Sequence, residues 1–303
     1  MKVSGLDKIA GLFAGLFKDP PPELAFEICE AGVSMARTKD PSNIKFQELR
    51  PGVLSISPVH DNVVMADELS AAIGMLAPGG NSRKKYHAAL ILPDYSARLS
   101  VLEFDSFPDK EEDQRALVRF RLRKSVPFDI ESAALSYWRQ LDAEKKKQEV
   151  VVALTPLEIL ARYEAPFRAR GIQTGFVTVS PLAALELVSS EGISAVAKLN
   201  GNILTILVMR GNHLKLVRTL ELTETTLEEI AADLYPTFVY IEDRFGAKAS
   251  RLMLCGFGDL EDSAVRQYQA ELEIPVEPVR SSIGALSANN AGLLGYLQGA
   301  RAA

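Results

Sequence analysis

Cysteine, histidine and tryptophan are scarce in this chain: two, three and one among 303 residues. Cys29 and Cys255 lie far apart, each in an apolar run. Two thiols are too few for a disulfide framework and have no metal-ligand spacing, so free buried thiols in a reducing cytoplasm are expected. His60, His87 and His213 stand apart from the cysteines and from one another, and there is no HExxH or GxSxG motif. Zinc-hydrolase and serine-hydrolase chemistry therefore have no starting point. Also missing is any run of the roughly 18 to 20 apolar residues that a spanning helix requires. Positive charge is not in excess: 34 Lys and Arg against 39 Asp and Glu leave a net charge of -5. The chain as a whole does not attract nucleic acid.

What is present is the composition of an ordinary globular protein, 47% hydrophobic and 24% charged, in a chain long enough for two or more packed domains. The first 19 residues place Leu6, Ile9, Phe13, Leu16 and Phe17 at helical spacing, with Asp7 and Lys8 on another face. Charges interrupt the apolar part and no cleavage site follows, so a secretory signal fits poorly. Two readings stay open: a terminal helix docked on its own protein, and an amphipathic segment for a membrane surface or a partner helix. The spacer Pro20, Pro21, Pro22 slightly favours the second.

Beyond the spacer, residues 24–28 and 33–37 predict a hairpin, and IKFQELRPGVLSIS a third strand or strand pair turning at Pro51 and Gly52. Residues 66–77 read as a helix stopped by Pro78, Gly79 and Gly80. From His87 the order becomes strand, strand, helix, strand, strand, helix. The helix in DKEEDQRALVRFRLRKSVPF has acids in its first turn and bases in its last, as the helix dipole prefers. Its Arg119, Arg121, Arg123 and Lys124 are expected to be a solvated helix end, since no stacking aromatics are interleaved for nucleic acid. Residues 132–140 and 149–155 form a hairpin around DAEKKK, and Thr155, Pro156 and Glu158 read as a capping box for a helix kinked or ended near Pro166 and stopped by Gly171.

Ser180 and Pro181 open a further helix, followed by the strand-rich stretch SAVAKLNGNILTILVMRGNHLKLVRTLEL with its turn at Gly211 and Asn212. Residues 223–245 read as one long helix interrupted by Pro236, RLMLCGFG as a buried strand, and ANNAGLLGYLQG as a closing helix. Together these pieces predict an α/β (mixed α+β) chain. The domains are 22–86 plus 172–189, an inserted αβ block at 87–171, and 190–303, with 1–19 as a separate segment.

Several colinear stretches carry a resemblance to a known family: LAFEICEAGVSMAR, RKSVPFDIESAALSYW, VVVALTPLEILARYEAPFRARGIQ, VTVSPLAALEL, LMLCGFGDL and NAGLLGYL. Over roughly residues 22–298 their order resembles the PilM family of type IV pilus assembly proteins, relatives of FtsA in the actin-like ATPase superfamily. The resemblance implies an actin-like (ribonuclease H-like) two-domain fold with a small inserted αβ domain. It departs from the family after Leu222, where a helical subdomain usually precedes the long helix that here begins at Thr223, so a reduced second half is expected.

The family's nucleotide motifs are degenerate in this chain. Its first phosphate loop resembles GIDIGSSSVK, whose aspartate organises magnesium and water and whose lysine reaches phosphate. Glu27 stands at the aspartate, Cys29 at the glycine and Ser34 at the lysine. The second loop, DIGAS in the family, is matched by Lys198, Leu199, Asn200, Gly201 and Asn202; lysine at the aspartate position reverses the local charge. The third, a run of glycines that admits adenosine, is matched by Leu254, Cys255, Gly256, Phe257 and Gly258, where Phe257 either stacks on a base or fills the vacant space. Glu27, Ser34, Asn200, Gly201, Asn202, Gly256, Phe257 and Gly258 are thus the degenerate nucleotide site that the resemblance implies, with no catalytic residue and no resident metal.

The function so implied is a non-catalytic pseudo-ATPase scaffold, cytoplasmic and peripheral at the inner membrane. It holds the short cytoplasmic tail of a PilN-like single-span protein in a groove between the first domain and the inserted block, with a pilus assembly ATPase as a further partner and no nucleic acid. Val126, Pro127 and Phe128 lie in the resembling segment and are the groove candidates. One alternative is an actin-like ATPase or nucleotide switch with magnesium ATP as its cofactor. Another is a GspL-like adaptor of type II secretion, disfavoured by the expectation that no spanning helix follows the domain.

Overall fold

The computed structural model describes residues 21–77, 85–140, 147–189 and 191–302. The amphipathic segment 1–19, the glycine turn at 79–80 and most of the charged turn at 142–147 lie outside the described residues.

Short apolar segments, the central ones buried along nearly their whole length, build three sheets. β1 (Leu24–Cys29), β2 (Gly32–Arg37) and β3 (Asp40–Glu48) form an antiparallel meander, and β4 (Tyr86–Leu92) and β8 (Ile172–Val179) extend it in parallel, giving the order β3-β2-β1-β4-β8. The second sheet repeats this plan: β9 (Ile193–Asn200), β10 (Ile203–Arg210) and β11 (His213–Glu221) are antiparallel, while β12 (Arg251–Cys255) and β13 (Val276–Pro278) add in parallel, in the order β11-β10-β9-β12-β13. Between β4 and β8 the chain inserts a three-stranded sheet, β5 (Arg98–Phe104), β6 (Ala133–Gln140) and β7 (Gln148–Pro156), in the order β5-β7-β6.

Seven helices pack on these sheets among the described residues: α1 (Ala66–Leu76), α2 (Glu111–Leu122), α3 (Leu157–Arg168), α4 (Ser180–Ala184), α5 (Leu227–Phe245), α6 (Glu261–Leu272) and α7 (Ala291–Ala302). α5 begins at 227 rather than 223, with Thr226 as its N-cap accepting from the Glu229 N–H at 3.2 Å. The capping box expected at 155–158 does not form. Thr155 Oγ1 instead donates to the Ser96 carbonyl at 2.9 Å, and α3 has no side-chain cap.

Two boundaries differ from the sequence reading. β4 belongs to the first sheet, sandwiched between β1 and β8, so the inserted block starts after it instead of at 87. β3 begins at Asp40, ahead of the expected IKFQ stretch. Residues 222–226 alone join β11 to α5.

The inserted sheet has two apolar faces because side chains alternate along each strand. Val150, Val152, Leu154 and Ala133 lie under α2, with Val118 and Leu122 of that helix. Val151, Ala153 and Trp138 on the other face join Phe167 of α3 in a core that also holds Phe26 and Leu90 of the first domain and Val196, Leu207, Met209 and Met253 of the second. One apolar core therefore runs through all three bodies. Polar contacts reinforce it: the Gln140 side chain pairs with the Leu214 backbone through bonds of 2.7 and 2.8 Å, and Lys215 forms an ion pair with Glu149, both side chains only 3% exposed.

Candidate functional site

The residues at the three degenerate loops converge between the two large sheets, and the chain's own segment 288–293 lies among them. Glu27 sits on β1, paired with Ser34 on β2 and with Ile91 on β4, and is fully buried. Its Oε1 accepts from Ser180 Oγ at 2.5 Å and from the Gly292 N–H at 3.2 Å, and its Oε2 accepts from the Leu293 N–H at 2.7 Å. The first turn of α7 has unsatisfied N–H groups and the positive end of the helix dipole, so a distant strand supplies its capping carboxylate. Only glycine fits at 292: a Cβ there would stand 2.8 Å from Ser180 Oγ and 2.9 Å from Glu27 Oε1. Burial pushes the Glu27 carboxyl up from its usual range, opposed by the ammonium of Lys198 and the bonds from Ser180 and Leu293.

The rest of the first loop is engaged by the same segment. Ser34 Oγ donates to the Asn289 carbonyl at 2.7 Å, and Cys29 Sγ lies 3.4 Å from both the Gly32 carbonyl and Asn289 Oδ1. Both cysteines are buried and free, as expected, and burial lifts each thiol to about 12. Neither is a thiolate nucleophile at neutral pH.

Lys198 on β9 is fully buried and reaches across to the first domain, its Nζ 2.7 and 2.6 Å from the two carboxylate oxygens of Asp94, itself 3% exposed. Burial works against the ammonium, but Asp94, with Cys255 and Glu27 behind it, holds its pKa above the ordinary lysine value. Asp94 escaped the sequence reading. The available signal was Lys198 itself, since a lysine inside the apolar run SAVAKLNG requires a buried counter-charge somewhere in the fold.

The remaining positions divide. Asn200 Nδ2 donates to the Ala288 carbonyl, and Gly256, at φ 78°, passes so close to Leu199 that a Cβ would stand 2.4 Å from its carbonyl oxygen and 3.2 Å from Ala288 Cα. Gly201, at φ 57°, forms the β9–β10 turn facing the first loop, 4.0 Å from Glu30 Oε2 when given a Cβ. Asn202 is turned away to Glu221 at 3.4 Å, and Gly258 starts a short helical turn. Phe257 is not a base-stacking residue: it is 3% exposed and packs edge-on to Tyr268 at 6.5 Å in the second domain's core.

These side chains do not suit magnesium ATP. The one carboxylate at the first loop already takes three donors in a buried setting, and the second loop presents a paired ammonium where a metal-bound water needs an anion. Among the described residues no group of three or more His, Cys, Asp or Glu is placed to share a metal ion.

A second concavity lies between the inserted sheet and the first domain. It encloses ≈ 760 Å³, its open mouth included, and is lined by Leu135, Ser136 and Trp138 of β6, Leu160 of α3, Phe176 to Val179 of β8 and Leu182 of α4. β6 and β8 are both outermost strands of their sheets. Trp138 Nε1, shielded from solvent, has no hydrogen-bond partner among the described residues. The groove candidates from sequence are elsewhere: Val126 and Phe128 pack on the inserted block's own core beneath α2, and Pro127 is exposed beside them.

No protein-family model and no curated protein matches the chain. Solved structures do. A PilM–PilN type IV pilus biogenesis complex matches at 16% identity over 92% of this chain and 98% of the other, with a TM-score of 0.69. A Bacteroides thetaiotaomicron protein of actin-like ATPase fold and unknown function matches at 12% identity over 90% and 94%, with a TM-score of 0.51. With the two sheets of identical strand order, these likenesses show that the chain has an actin-like fold, similar over nearly its whole length to that of a PilM–PilN complex.

Proposed function

We propose that this protein is a non-catalytic actin-like scaffold that holds the short cytoplasmic tail of a PilN-like, single-span membrane protein at the inner membrane. The observation that carries the reading is the occupied cleft. Glu27 caps α7, Lys198 pairs with Asp94, and segment 288–293 lies against the three loop positions where a nucleotide would bind. A scaffold loses nothing by this, whereas an ATPase needs a side chain free to orient its attacking water. The apolar groove between β6 and β8 supplies the tail site. An extended peptide can add to an outer strand while seating apolar side chains against Trp138, Leu160 and Phe176, and the Trp138 N–H is a donor that a peptide carbonyl satisfies. The likeness to a structure that contains both PilM and PilN favours this class of partner.

Two titrations test the reading. Calorimetry with magnesium ATP, ADP and a magnesium-free control is expected to give no binding heat; affinity in the micromolar range, about -8 kcal/mol, overturns the pseudo-ATPase assignment. A synthetic peptide of the PilN-like tail is expected to bind the intact protein and to lose affinity in Ser136→Arg, which projects into the groove from an exposed position. Equal affinity in that variant removes the groove from the account.

A further inference from the structure

The last half of α2 departs from the chain's acidic balance. Arg115, Arg119 and Arg123 lie at i, i+4 and i+8 along one row, flanked by Arg121 and Lys124, and Phe120 projects among them at 76% exposure. Arg115, Arg119, Phe120 and Arg123 line an open concavity together with Glu112 and Glu131. Some of this charge is spent internally, since Arg115 pairs with Glu111 at 2.9 Å and Arg119 with Glu131 at 3.1 Å. Arg121, Arg123 and Lys124 have no ion pair among the described residues; Arg121 only covers the Phe104 ring at 5.6 Å. The acidic residues Glu111, Glu112 and Asp113 are confined to the opposite end of the helix.

A phenylalanine in the core of a soluble domain is sheltered; here it stands in water, ringed by cations, on a helix whose apolar duties are already discharged by Val118 and Leu122. That combination has a fitting counterpart in an anionic bilayer, where an aromatic ring enters the headgroup boundary and Lys and Arg meet lipid phosphates. We propose that the C-terminal end of α2 and the turn that follows it, through Phe120, Arg121, Arg123 and Lys124, are a docking surface for an anionic lipid membrane. An acidic protein segment suits it less well, because its most exposed group is the apolar ring of Phe120.

The position agrees with the tail groove. α2 covers one face of the inserted sheet and the groove opens on the other, so the two are separated by one sheet layer and one helix layer, about 20 Å. A tail reaching the groove from a bilayer at α2 passes around the edge of the inserted block, so about six extended residues, enough for about 20 Å, is its least length. The lipid surface goes beyond the scaffold reading and stands even when the groove binds no tail.

The test is flotation of the full-length protein with phosphatidylcholine vesicles and with vesicles that also contain phosphatidylglycerol. Binding is expected only to the anionic vesicles, weakening as salt shortens the Debye length from about 10 Å at 0.1 M. Arg121→Glu/Arg123→Glu/Lys124→Glu is expected to lower partitioning about tenfold or more, and Phe120→Ser several-fold with the salt dependence retained. All four side chains are solvent-exposed, so circular dichroism is expected to match the parent protein. Absence of binding to anionic vesicles overturns the proposal. So does undiminished binding by the triple variant, which places membrane affinity elsewhere in the chain, and so does capture of polyglutamate without capture of vesicles. Titrating the tail peptide into the triple variant keeps the two readings apart, since groove affinity is expected to be unchanged there.

Discussion

Lys198 is the residue on which the site turns. In a buried strand an unpaired ammonium is untenable, and Asp94 from the other domain neutralises it with both carboxylate oxygens. Removing one partner of such a pair leaves a bare buried charge, whereas replacing both by apolar groups removes the desolvation cost with the attraction. Lys198→Met is therefore expected to lose about 3 to 5 kcal/mol of stability in urea unfolding, and Lys198→Met/Asp94→Leu to recover most of it. Equal losses in the single and double variants would show that the pair does more than neutralise itself. Glu27 follows the same logic, its charge answered by Ser180, two backbone N–H groups and the nearby ammonium.

At the scale of an element, α7 docks through glycines. Gly292 admits Glu27 and Ser180, and Gly295 passes so near α4 that a Cβ would stand 2.0 Å from the Ala183 carbonyl. Gly299 lies beside Glu186, where a Cβ would stand 3.1 Å from Glu186 Cγ. Gly295→Ala is expected to cost about 2 kcal/mol or more, seen as a lower thermal midpoint, because backbone must move to make room. Glu186 adds a pH dependence. It is 6% exposed, its Oε1 has no hydrogen-bond partner among the described residues, and burial raises its carboxyl to about 7. A raised carboxyl pKa favours the protonated folded form. Its destabilising effect is thus absent below the unfolded value near 4.5, grows through about 7 and is complete above it. Glu186→Gln is expected to match the parent at pH 4.5 and to exceed it by about 1 to 2 kcal/mol at pH 8. A constant difference across that range would assign the effect to packing alone.

The whole molecule behaves as one body because its largest core is shared. Phe26, Val151 and Leu207 come from the first domain, the inserted block and the second domain, yet they belong to one apolar cluster. The buried Lys215–Glu149 pair and the Gln140–Leu214 bonds fasten the inserted sheet to β11, and Lys198–Asp94 fastens the two large domains. Calorimetric unfolding is expected to show one transition for the described body rather than a separate melt of the inserted block. Two resolved transitions, with Glu149→Ala shifting only one, would refute this coupling.

The strand and helix order of the actin-like fold was legible in the sequence because its signals are local. Short apolar runs broken by turn residues mark the hairpins at 24–37 and 203–221, and Pro181 marks a helix start. The departures from the resembling family's nucleotide loops were visible too, as single residues at Glu27, Ser34 and Lys198. Tertiary structure alone decided what became of those residues. Glu27 meets Leu293 across 266 positions, Lys198 meets Asp94 across 104, and the sheet that owns β4 depends on a pairing between strands rather than on the strand itself. Periodicity records which face of an element is apolar, but the partner that covers the face or answers the charge is chosen by long-range packing, which leaves no local mark on the chain.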